Sequence, residues 1–188
     1  MQHDLSLFEK AIQRFDQANS HDPHGKETIY AQRMSQWLAR LDPDAPEELQ
    51  LAARSQHLRR WEIPRKNFPM DRAGYLNWRK TLYAFHAEKA AEILREVGYD
   101  QTIVARVQSL LRKEKIKSDP QMQTLEDVIC LVFLENYFAD FARDKDEEKL
   151  INILRRTWAK MSEKGRQAAM GLQFSDFEKA LITKAISG

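Results

Sequence analysis

The chain has 188 residues, 43% of them hydrophobic and 31% charged, and a formal net charge of +2. That length suits one domain with its own core, and the near-neutral balance argues against both a disordered polyelectrolyte and a dedicated, strongly basic nucleic-acid binder. A single cysteine, Cys130, excludes an internal disulfide framework and fits a reducing compartment, and no apolar run reaches membrane-spanning length, so a soluble cytoplasmic protein is expected. Six glycines and six prolines fall mostly between periodic segments rich in Ala, Leu, Glu, Lys, Arg and Gln. This composition favours an all-α protein.

Leu5, Phe8, Ile12 and Phe15 recur at helical spacing and predict a first amphipathic helix over residues 4–18. The breaker cluster NSHDPHGK ends it. His21 and His24 flank Pro23 there, without a cysteine or a third local ligand, so a solvated loop is expected rather than a metal clip. A second helix over 27–41 carries Tyr30, Met34, Trp37, Leu38 and Leu41 on its inner face. In LDPDAPEE, Asp44 reads as an N-cap, with Pro46 in the first turn and Glu47 completing a capping box. The third helix then covers 46–60 and puts Arg54 and His57 on one face. A loop to Gly74 follows.

The fourth helix, 75–97, ends at Gly98 and has His86 on its apolar stripe beside Leu82, Ala90 and Ile93. Asp100 caps a fifth helix, and RKEKIKSD reads as a solvated charged connection. Asp119 and Pro120 open a sixth helix. Its segment VICLVFL, residues 128–134, is apolar all round and marks a helix buried on every side. Cys130, inside that run, reads as a small hydrophobe and not a nucleophile. From Asp144 onward the pattern gives two or three amphipathic helices, the last opened by the capping box SDFE. The expected architecture is a single all-helical domain over residues 1–188, about eight helices around a buried central one. The helices from about residue 145 are its most peripheral part.

The stretch 50–80 is the chemically richest part of the chain. Eight of its residues are basic (Arg54, Arg59, Arg60, Arg65, Lys66, Arg72, Arg79, Lys80) and two acidic (Glu62, Asp71), a local excess of +6. Trp61, Phe68, Tyr75 and Trp78 are interleaved with them. Basic and aromatic side chains together suit phosphate contact and base stacking, which makes Arg60, Arg65, Arg72, Trp61 and Tyr75 candidate substrate-binding residues. His57, His86, Glu126 and Asp127 form a candidate divalent-metal set, because imidazole nitrogens and carboxylate oxygens are the usual ligands of a hydrolytic metal. His57, Arg54 and Arg33 are the catalytic candidates, the arginines neutralising charge on a transferring phosphoryl group. A structural reading stands beside this one: Thr124–Asp127 has capping-box spacing, and Glu126 and Asp127 could pair with Arg33 or Arg54 in an interior ion network.

The strings SQHLRRWEIPR, FPMDRAGYL and LEDVICLVFLENYFADF resemble the family catalogued as domain of unknown function 4202, over nearly the whole chain. That family carries no assigned activity. More distantly, the layout resembles the HD-type metal-dependent phosphohydrolases. In that resemblance Arg33 falls at the first histidine, Gln56 and His57 at the His-Asp pair, and Asp127 near the last aspartate. His86 resembles the additional histidine of some members. The resemblance implies a divalent metal and hydrolysis of a nucleotide or other phosphorylated metabolite. With Arg33 and Gln56 at two ligand positions, the metal would depend on His57, His86, Glu126 and Asp127. The alternatives are a non-catalytic module that binds a phosphate, a nucleotide or RNA, and a helical protein-interaction scaffold.

Overall fold

The structure, a computed structural model, describes residues 5–114 and 118–187. Among them are ten α-helices and two short 3-10 turns and no strand. The helices are α1 (Leu7–Asn19), α2 (Lys26–Leu41), α3 (Glu47–Arg54), α4 (Arg72–Val97), α5 (Gln101–Leu111), α6 (Pro120–Asn136), α7 (Phe138–Ala142), α8 (Glu147–Lys160), α9 (Glu163–Met170) and α10 (Asp176–Ile186). The all-α class is as expected; α7 and α9 bring the number above eight.

Helix α6 is the hub. α2, α3, α5, α7, α8 and α9 all pack against it. Val128, Leu131 and Val132 are fully buried and Cys130 and Leu134 nearly so, while Ile129 and Phe133 are only partly buried, so the run is not covered on every side. Burial of these side chains, at roughly 1.5–3 kcal/mol each, is the largest favourable contribution the run can make. Around the hub, α4 packs on α1 and α5, and α8 on α10. One hydrophobic cluster runs from Ala11 and Phe15 of α1 to Leu181 and Ala185 of α10.

Most helix ends follow the sequence. Gly98 closes α4 with φ 108°, Asp100 and Asp119 accept from the first N–H groups of α5 and α6, and Ser175 completes a capping box with Glu178. Ser6 caps α1, which starts at Leu7 rather than at residue 4, and three further boundaries differ. Pro46, not Asp44, is the N-cap of α3, and no side chain caps it. α4 begins at Arg72, because Asp71 accepts the N–H of Gly74 at 2.7 Å. Only glycine fits at 74: a Cβ there would lie 2.1 Å from the carbonyl oxygen of Pro69.

The third difference shapes the site. α3 stops at Arg54 rather than running to 60. The Ser55 hydroxyl donates to the Leu51 carbonyl at 2.7 Å, the local competition that makes serine a poor interior helix residue. Arg59 then takes a left-handed φ of 55°, its N–H held by Asn19 Oδ1 at 3.0 Å. His57 therefore sits in a turn, and Arg54 and His57 do not share a helix face.

Candidate functional site

The turn brings His57 under α2. Its ring stacks on Tyr30, centroids 3.8 Å apart and planes within 9°, and lies 5.9 Å from the ring of His86 on α4. Arg60 Nη1 stands 3.3 Å from His57 Nε2. A guanidinium only donates, so Nε2 is the acceptor and the proton of neutral His57 resides on Nδ1. That nitrogen faces Glu27 Oε2 at 3.3 Å. His86 is fixed likewise: Nδ1–H donates to the Leu58 carbonyl at 2.9 Å, leaving Nε2 as a buried acceptor with no partner.

Two guanidiniums face this interior. Besides His57, Arg60 lies over the Trp78 ring at 4.7 Å. Arg79 donates to the hydroxyls of Tyr83 and, at 3.3 Å, Tyr75. Neither has a carboxylate within ion-pair distance among the described residues; burial lowers the Arg60 pKa, with repulsion by Arg79 adding to it and the attraction of Glu27 opposing it. Behind them Lys113 pairs with Glu126, both side chains almost wholly buried at 7% and 6% exposure. At the outer edge Arg65 lies 5.9 Å from the Tyr75 ring, its donors spent on the carbonyls of Phe68 and Asp71.

Burial sets the protonation here. It is the main reason that the His57 pKa is held well below the usual 6.5 and that of His86 at about 3, with Arg60 adding to both. It pushes Glu27 up to about 7, outweighing the attraction of Arg60. The two histidines stabilise the fold fully above pH 6.5 and lose that contribution as pH falls toward their folded values. Glu27 acts oppositely, its contribution being fully present below 4.5 and lost as pH rises through 7. Between pH 6.5 and 4.5 two histidine slopes thus oppose one carboxyl slope. Urea unfolding should show stability falling on acidification by about 1 kcal/mol per pH unit. His86→Leu should flatten that dependence; an unchanged slope would contradict the assignment.

Other expected site residues lie elsewhere. Arg54 is not beside His57: its Nε and Nη2 hold Asp16 of α1 at 2.9 and 2.6 Å, which ties α3 to α1. Arg33 meets the cluster only at its edge, 5.2 Å over the Tyr137 ring. Trp61 lines a separate groove with Arg14, His21 and Lys89, and Arg72 is exposed at the start of α4. Neither Glu126 nor Asp127 pairs with Arg33 or Arg54, and Thr124 caps nothing: its hydroxyl donates to the Pro120 carbonyl inside α6. The charged connection after α5 is not wholly solvated, since Lys113 folds inward; residues 115–117 lie outside the described residues.

The four-residue metal set does not assemble. Glu126 is committed to Lys113, and Asp127 accepts from the N–H of Ser162 at 2.7 Å, from its hydroxyl, and from Gln123 Nε2 at 3.1 Å. Among the described residues no group of three or more His, Cys, Asp or Glu side chains could hold a metal ion. The donors present do not fit the divalent metal that the HD-type resemblance implies. What assembles instead is a cationic interior of Arg60 and Arg79 with two neutral histidines. Glu27, Arg79 and Lys113 escaped the sequence reading of the site. Arg79 alone had a signal, its place in the basic stretch.

No curated protein and no solved structure matches the chain. The family model described as Domain of unknown function (DUF4202) matches residues 9–182, nearly all of the chain. The chain belongs to the DUF4202 family.

Proposed function

We propose that the protein binds a phosphate-bearing small molecule, a nucleotide or another phosphorylated metabolite, in the interior between α2, the 55–62 turn and α4. One observation carries this reading. Arg60 and Arg79, both partly buried, lie close enough for Arg79 to repel Arg60, and their hydrogen-bond partners are neutral. Two buried like charges are costly unless an anion lies between them, and guanidiniums bind phosphate oxygens through paired donors. Tyr75, exposed beside Trp78 with ring centroids 5.9 Å apart and hydrogen-bonded by Arg79, offers a stacking surface next to the guanidiniums. The net charge of +2 supports a small ligand over RNA. The buried Cys130 supports a reducing, cytoplasmic setting, and no described helix is long and apolar enough to cross a membrane. Hydrolysis at an HD-type metal centre has no support from the donors, so binding is the function proposed.

Calorimetry with inorganic phosphate and adenosine monophosphate at low salt tests this. Arg60→Gln and Arg79→Gln should each weaken binding about 10- to 100-fold, the loss of one charge-assisted contact of roughly 1.5–3 kcal/mol. Unchanged affinity in both variants, with an intact fold by circular dichroism, would remove the site.

A further inference from the structure

The charge balance of this interior also says which class of phosphate it takes. Lys113 and Glu126 cancel each other. That leaves Arg60 and Arg79, two positive charges, and Glu27, the remaining acid. Glu27 contacts His57, which is neutral, and meets no lysine or arginine within ion-pair distance among the described residues. Of the other groups around it, Arg60 and Lys26 attract its negative charge and Asp22 repels it. Tyr30, also on α2, stays protonated at any ordinary pH because burial raises its pKa. Farther in stand His86 and Arg79 of α4.

With Glu27 ionised the site carries one net positive charge, which a phosphate diester would cancel. With Glu27 protonated it carries two, which, of the two ester classes, only the dianion of a monoester cancels. Geometry favours the second state, since a carboxylate there has no cation in contact.

We infer that the ligand is a phosphate monoester, bound as its dianion together with one proton held at Glu27, and that diesters are discriminated against. This rests on the phosphate-binding reading above. The burial that raises Glu27 to about 7 is consistent with it.

Methyl phosphate and dimethyl phosphate are the matched probes. At pH 8 the first is dianionic and free Glu27 is about nine-tenths ionised, so binding must draw in a proton. Calorimetry in two buffers of different ionisation enthalpy should read close to one proton taken up per methyl phosphate. Dimethyl phosphate should bind at least about tenfold more weakly, without uptake. Glu27→Gln, which fixes the neutral form in the same shape, should keep methyl phosphate binding and lose the uptake. Binding of methyl phosphate with no uptake, equal affinity for the two esters, or the same uptake in Glu27→Gln would overturn this inference alone. If neither ester binds, the phosphate reading falls with it.

Discussion

Replacing Lys113 by alanine is expected to cost the fold about 3–5 kcal/mol, because it strands the Glu126 carboxylate in the interior. Glu126 lies on the hub helix, one turn before the buried Cys130, with its side chain 6% exposed. Its charge is felt by its surroundings: after burial itself, it is the next cause pushing the Cys130 thiol up to about 12. Water cannot replace the ammonium there, so the variant must either bear the unpaired charge or protonate the acid. Removing both partners is a different perturbation. Lys113→Met with Glu126→Leu fills the space with apolar groups and leaves no orphan, and should lie within about 2 kcal/mol of the wild type or above it. Urea unfolding of the single and double variants measures both. A Lys113→Ala loss under about 1 kcal/mol would mean that the pair is solvated.

Asp127→Ala should be nearly as damaging, by roughly 3 kcal/mol, since hydrogen bonds to a charged acceptor contribute about 1.5–3 kcal/mol each and are not additive. Asp127 joins the hub to the start of α9. It holds the backbone N–H and the hydroxyl of Ser162, and Ser162 caps α9 by accepting from the Gly165 N–H at 3.1 Å. The approach is close enough that a Cβ on Gly165 would lie 2.6 Å from Asp127 Cγ. The loss should be local at first. Amide exchange in residues 162–170 should speed up while residues 128–134 stay protected, and Asp127→Asn, which keeps one acceptor oxygen, should be milder. Uniform loss of protection across the chain would show that Asp127 does not act through α9.

The buried centre was legible because an apolar run longer than a helix face has few places to go. The helix ends at Gly98, Asp100, Asp119 and Ser175 were legible because capping is local chemistry. The end of α3 was not. Its apolar and basic spacing continues past Arg54, and only the Ser55 hydroxyl and the left-handed Arg59, held by Asn19 from another helix, break it. Glu27 and Lys113 were missed for a related reason. Each sits beside a polar connection and carries a charge, the pattern of a solvated residue. Their burial is decided by partners far away in sequence, His57 for the one and Glu126 for the other. The basic excess of residues 50–80 pointed to the right region and to Arg60, but Arg54 in the same stretch is a strut between α1 and α3. His57 and His86 do converge, through packing of the turn under α2 and against α4, while the carboxylates expected to join them are held by Lys113 and Ser162.

The arginine side-chain Nε–Hε resonances of nitrogen-15-labelled protein report directly on the proposed sharing of one phosphate by Arg60 and Arg79. Titration with inorganic phosphate at pH 7 and low salt should move the Arg60 and Arg79 signals together along one saturating curve. Arg54, bound to Asp16, and Arg106, bound to Asp119, should not move. Shifts spread evenly over the exposed arginines, with Arg60 and Arg79 unmoved, would contradict the account.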